Sequence, residues 1–385
     1  MQHNFDEIIE RRGHDGKRWN TYAPDVLPLW VADSDFRCPQ PVIDALKERI
    51  DHGIYGYTGN DGSFEKAAVR WVRDRFGWNA DPAKVEFTPC VGAALALAVK
   101  TFSRPGDNVL VQTPIYPPFR AVTHYNGRNV LENRLLFRDN NFHIDFEDLD
   151  KKLADPRTTL FLLCNPHNPS GRAFTREELL HMGEMCKKHN VIVFSDEIHC
   201  DYVYSGHKHV SFPTLSREMA DISLVSINPS KTFNVADFRT AAVMSDNQHL
   251  IDRFRVETAT QKMGRCSTGI ITFVTCYTEC DYYADGVRDY TEKNMRFAVD
   301  YINERIPGVS AHMPDATYLL WMNCTELGMS QPDLVKFFVE KARVAMNNGA
   351  DFGVEGVGFM RMNLATPMAN VKEAVERIEK AVKAL

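Results

Sequence analysis

Lys231 stands in Asn228-Pro229-Ser230-Lys231, directly after an apolar run containing Leu224, Val225 and Ile227, and Arg239 follows eight residues later. A lysine at such a place is either a solvated surface amine or a nucleophile able to bond a carbonyl carbon. Four further chemistry-bearing residues sit in comparable settings. Asp196 closes the run VIVFS, Asn168 lies in Asn165-Pro166-His167-Asn168-Pro169-Ser170-Gly171 after TTLFLLC, Tyr116 lies in Thr113-Pro114-Ile115-Tyr116-Pro117-Pro118-Phe119, and Arg361 is inside FMRMN. An amine, a carboxylate, an amide, a phenol and a guanidinium are together the groups that a lysine-bound pyridoxal phosphate requires.

Each residue carries two readings. Asp196 either caps a turn or keeps the nitrogen of a pyridine ring protonated, which makes that ring an electron sink. The prolines and Gly171 make the Asn168 loop a rigid turn in any case, and its amide could donate to the phenolic oxygen of the cofactor. His199, three residues beyond Asp196, could do the same or serve as a structural histidine. Tyr116 either packs among its prolines or stacks on the ring face. A phosphate needs N–H donors and a cation. In Thr88-Pro89-Cys90-Val91-Gly92-Ala93 a strand passes into a helix, so the amides of Val91 and Gly92 would lie at a positive helix terminus, with Ser230 and Arg239 adding a hydroxyl and a guanidinium. Arg361, among apolar neighbours, needs an anion to pair with, and the substrate carboxylate is that anion.

The elements that must position these groups follow from periodicity. VEFT, NVLVQ, NVLEN, TTLFLLCN, VIVFSDE, SLVSIN and TAAVMS are short apolar runs, separated by helical patterns such as Gly92 to Phe102, Thr175 to His189 and Gln248 to Thr258. This alternation predicts an α/β fold with a mostly parallel sheet covered by helices on both faces, its active groups at the carboxyl ends of the strands. Residues 1–45, interrupted by Pro24, Pro28, Pro39 and Pro41, read as an irregular arm that packs on the smaller domain. Residues 46–285 read as the large domain, and 286–385 as a smaller α+β domain with helices over Gly286 to Arg305, Gln331 to Ala342 and Asn370 to Ala384.

Composition narrows the partners. A chain of 385 residues with a formal charge of -6 and no basic run argues against nucleic acid. The longest apolar run, Ala93 to Val99, is too short to cross a membrane, and the charged N-terminus has no signal-like apolar core. Nine cysteines without a CxxC favour reduced thiols in a cytoplasm. Cys276 and Cys280 share a helix face but lack further ligands, so no metal is expected.

With these motifs on the page, the chain resembles the fold-type I, aspartate aminotransferase-like family of pyridoxal-phosphate enzymes, and most nearly its cystathionine β-lyase (C-S lyase) branch. LPLWVADSDF, GIYGYTG, TPIYPPF, LLCNPHNPSGR, SDEIHCDYVYSGHKH, PSKTFN and GFMRMNLATP carry the likeness over roughly residues 27–367. The resemblance implies a seven-stranded-type sheet and Lys231 as the residue that carries the cofactor. It also implies Asp196 at the ring nitrogen, Asn168 and His199 near the phenolic oxygen, and Tyr116 on the ring. Val91, Gly92, Ser230 and Arg239 would hold the phosphate, and Arg361 the substrate carboxylate. It further implies a homodimer with shared sites, in which Tyr57 reaches the neighbour's phosphate. Two positions depart from the branch. Asp237 and Phe238 replace residues of SKTFNLAGL, bringing a carboxylate toward the phosphate or substrate amine, and Cys90 replaces a glycine, implying a slightly different backbone there.

The branch implies β-elimination from cystathionine or related cysteine S-conjugates, giving a thiol, pyruvate and ammonia. An aminotransferase acting on an amino acid is the second reading, since the same residues serve it. A regulatory protein acting through partner contact is the third.

Overall fold

Seven of the apolar runs form one sheet in the computed structural model, which describes residues 3–14 and 16–385. In spatial order the strands are Val85–Thr88, Ala241–Met244, Ser223–Ile227, Ile192–Asp196, Thr158–Cys164, Asn108–Thr113 and Asn129–Arg134. All run parallel except Ala241–Met244, which is antiparallel to both its neighbours. The sequence reading of this sheet is reproduced strand for strand.

Why these runs are continuous rather than alternating in polarity is visible in the packing. Val109, Val111, Leu160, Leu162, Phe194 and Leu224 face the helix Val91–Phe102 in one buried cluster. Their alternates Leu110, Phe161, Leu163 and Val193 face the helix Arg176–Lys188 in another. Successive side chains of a strand point to opposite faces, so a sheet covered on both faces needs apolar residues at every position. A capping box at Thr175 and Glu178 starts that second helix.

The C-terminal part builds a second, four-stranded antiparallel sheet in the order Ser310–Ala311, Leu319–Asn323, Phe359–Asn363, Asn347–Asn348. It is backed by the helices Asp281–Arg305, Gln331–Glu340 and Met368–Val382 around a separate apolar cluster. The first of these starts at Asp281, five residues before the glycine where the sequence reading begins it. Elements not anticipated include the helix Pro117–Tyr125, the hairpin of Leu136–Arg138 with Asn141–His143, the helix Phe146–Leu153 and the helix Ser267–Glu279. The last reads poorly as a helix because STGIITFVT is rich in β-branched residues; burial of Phe273, Cys276 and Tyr277 overrides that propensity.

The arm is tied down at several points. Leu27–Pro28 pairs in parallel with Val344–Ala345, and Asn234 clasps the next turn through Nδ2 bonds to the carbonyls of Ser34 and Phe36. Asn363 Nδ2 donates to the carbonyls of Val31 and Asp33. Arg18, fully buried, ion-pairs with Asp33 and Asp35. Held this way, residues 30–36 lie over the carboxyl ends of the large sheet.

One glycine decides how the loop after Asn347–Asn348 closes. A Cβ at Gly349 would lie 2.3 Å from both the Gly356 and Phe359 carbonyl oxygens, so backbone must move to admit it. Gly349→Ala is expected to lower stability by about 1–3 kcal/mol, seen as a lower denaturant midpoint; an unchanged midpoint would show that the loop yields freely.

Candidate active site

Five loops that follow parallel strands converge on one cavity of about 260 Å³. Nine of the residues singled out in the sequence line it: Cys90, Val91, Gly92, Tyr116, Asn168, Asp196, His199, Ser230 and Lys231. This is the crevice at the carboxyl edge of the sheet, where strands stop and backbone and side chains are free to turn toward a ligand. A larger surface groove of about 600 Å³, between His3–Asp6 and Tyr282–Lys293, contains none of them.

Lys231 Nζ donates to the carbonyl of Ala32 in the arm at 2.7 Å. The same carbonyl accepts from the Tyr318 hydroxyl at 2.9 Å. Burial, followed by the Arg361 charge, lowers the lysine to about 8 from its ordinary 10.5. An amine with that value spends an appreciable fraction of its time unprotonated near neutral pH, as a nucleophile or base must.

Asp196 is buried, and its Oδ1 accepts from the Ile198 amide at 3.1 Å. Desolvation raises it to about 7, against the lowering effects of that hydrogen bond and of Lys231. A carboxylate so placed gains most from a positively charged partner. His199 is also buried, its Nδ1 has no hydrogen-bond partner among the described residues, and burial lowers it to about 3, so the ring is neutral. Burial raises the Tyr116 phenol, which is therefore protonated at neutral pH.

Arg361 does not line the cavity but adjoins it through Asn168. Its Nη1 donates to Asn168 Oδ1 at 2.9 Å, and its Nη2 to Asn347 Oδ1 at 2.6 Å and to the Trp30 carbonyl at 3.2 Å. The guanidinium lies 4.8 Å from the centre of the Phe352 ring. Among the described residues every partner is neutral and Nε is buried without a partner, and burial lowers the group to about 10. A buried guanidinium without a counter-ion is a site prepared for an anion.

At the opposite end the helix Val91–Phe102 begins, and its first amides have no partners within the helix. A side chain at Gly92 would meet only Cys90 Sγ, at 3.9 Å, so the glycine leaves that floor clear for a phosphate. Cys90 itself is extended (φ -171°, ψ 165°), a conformation open to any residue. The altered backbone expected from its replacing a glycine is therefore not needed.

Other expectations are redrawn. Arg239 is exposed and left-handed (φ 48°, ψ 61°), outside the cavity lining. A guanidinium without its anion stays in water. Asp237 is likewise exposed, and its neighbour Ala236 lines the cavity instead. Tyr57, at 109% relative exposure, touches no part of this cavity. The structure adds residues that were missed: Asn228, whose Oδ1 accepts from the Ser230 amide at 2.7 Å, and Asn347, Tyr318 and the carbonyls of Trp30 and Ala32. Asn228 was legible beside Lys231. The carbonyls bear no signal, because any residue supplies one.

These groups fit pyridoxal phosphate: an amine of lowered basicity, a buried carboxylate for a protonated ring nitrogen, amides for a phosphate and a free guanidinium for a carboxylate. The chain also matches known proteins along its length. A family model described as "Aminotransferase class I and II" matches residues 24–378. Cystathionine beta-lyase PatB of Bacillus subtilis is 41% identical, over 98% of this chain and 100% of that protein. Among solved structures, cystalysin from Treponema denticola, which contains pyridoxal 5'-phosphate, superposes with a TM-score of 0.96 at 32% identity, covering 100% of both chains. The PLP-bound C-S lyase of Staphylococcus hominis gives 0.92 at 27% identity, covering 99% of this chain and 98% of that one. With its sheet and nearly its whole length matched, the chain belongs to the aminotransferase class I and II family.

Proposed function

We propose that this protein is a pyridoxal-phosphate-dependent carbon–sulfur β-lyase that cleaves cystathionine or related cysteine S-conjugates to a thiol, pyruvate and ammonia. The observation that carries the reading is the set of a part-buried amine lowered to about 8, a buried carboxylate raised to about 7 and a buried guanidinium with only neutral partners. The likeness to a cystathionine β-lyase at 41% identity selects the reaction.

Lys231 would carry the cofactor, Asp196 would face its ring nitrogen, Asn168 and His199 its phenolic oxygen, and Tyr116 its ring face. Val91, Gly92 and Ser230 would hold the phosphate. When bound, the cofactor supplies an electron sink for negative charge at the substrate α-carbon. Lys231 Nζ, of lowered basicity, would take the α-proton as general base. Asp196 would hold a proton at the ring nitrogen, and Arg361 would fix the substrate by its carboxylate. The bond that then breaks is Cβ–S.

Among the described residues of one chain, no arginine lines the phosphate end. Ile50, Ile54, Tyr55 and Tyr57 form an exposed apolar run of the kind that covers itself against a partner. Both features support a homodimer in which Tyr57 reaches the other subunit's phosphate and Arg239 turns inward once its anion is present. The nine unpaired cysteines suit a reducing cytoplasm, and no described helix is long and apolar enough to cross a membrane.

Cystathionine supplied without a keto acid tests the function: release of thiol and pyruvate is expected. The second reading, an aminotransferase, draws on the family model's description. Absence of thiol release together with amino transfer to 2-oxoglutarate would establish it instead.

A further inference from the structure

We propose that Asn347 is a positioning residue that keeps the carboxylate-binding arginine electrostatically unsatisfied, and so sets the enzyme's demand for an α-carboxylate. The inference rests on the reading of Arg361 as the carboxylate anchor. Asn347 lies on a two-residue edge strand directly opposite Arg361 in the small sheet, and its Oδ1 accepts from Nη2 at 2.6 Å. The remaining acceptors are Asn168 Oδ1 and the Trp30 carbonyl, and the Phe352 ring covers one face.

A guanidinium offers five N–H donors. Three are spent on these oxygens, which fix its plane, and none of the three oxygens carries a charge. The full positive charge is left for the ligand. Position 347 is where a carboxylate would fit with least change of shape, because aspartate is isosteric with asparagine and already within hydrogen-bond distance. An aspartate there would satisfy Arg361 internally and close the anion site. An alanine would keep the charge but free one side of the fork. Neutrality and reach are therefore separable properties of this side chain.

The test uses the cofactor-loaded enzyme and two probes lacking a β-leaving group, L-alanine and L-alaninamide, with Kd read from the change in cofactor absorbance. Asn347→Asp is expected to weaken alanine by about 30–100-fold and alaninamide by less than about 3-fold; Asn347→Ala should weaken alanine by about 3–10-fold. Cofactor content, read at its absorbance band, should match wild type in both variants. With a thiol-releasing substrate, the loss should fall on KM more than on kcat. Equal weakening of both probes in Asn347→Asp, or no weakening of alanine, overturns the proposal. Arg361→Ala separates the two levels. If it leaves the alanine Kd unchanged, the carboxylate assignment itself is wrong. If it weakens alanine while Asn347→Asp does not, only the role of Asn347 falls.

Discussion

Lys231→Ala should lower thiol release from cystathionine by roughly 10⁴-fold, because one amine is proposed to serve as both nucleophile and general base. Borohydride reduction followed by mass spectrometry should find the cofactor covalently attached to wild type and not to the variant; attachment in the variant would mean that another lysine carries it. The fold should survive, since the Ala32 carbonyl keeps its bond from Tyr318. Stability should change only in its pH dependence. The folded-state value of about 8 lies below the ordinary 10.5, so between these values the unfolded chain binds more protons than the native one. Cofactor-free wild type should therefore gain stability as pH rises from about 8 to 10.5, and the alanine variant should lack that gain.

Asp196→Asn should have opposite effects on activity and stability. Loss of the charge proposed to hold a proton at the ring nitrogen is expected to lower turnover by about 10³-fold. In the cofactor-free protein the carboxylate titrates near 7 rather than 3.8, so the native state binds more protons across that interval. Its contribution to stability is full below 3.8 and is lost as pH rises through about 7. Asparagine has nothing to ionise. The cofactor-free variant should accordingly unfold at a higher denaturant concentration than wild type at pH 8, and at a similar one near pH 4. Full turnover, or no stability gain at pH 8, would remove Asp196 from its assigned position. A buried charge that weakens the empty protein and serves the loaded one is a group placed for function.

Much of the architecture was legible beforehand because its signals are local. The seven central strands are runs buried on both faces, and the residues at their ends, Asp196 and the Asn168 loop among them, stand where apolar periodicity stops. The helix Ser267–Glu279 was not legible, since β-branched residues there suggest strand and only packing against Phe64 and Trp71 settles the matter. Asp237 shows the converse. Its nearness to Lys231 along the chain suggested a role, yet the turn Ala236–Phe238 leaves it in solvent.

The amino-acid order alone singled out the candidates: Lys231, Asp196, Asn168, His199, Tyr116 and Arg361 are named by type, spacing and apolar flanks. Tertiary structure alone decided how those groups are poised. The amine rests on the Ala32 carbonyl, 199 residues away in sequence, and the guanidinium is held by oxygens from residues 30, 168 and 347. Periodicity records which face of a strand is buried, a property of neighbours along the chain. Desolvation and the absence of a counter-ion depend on everything that surrounds a group in space, and only the folded chain brings those surroundings together.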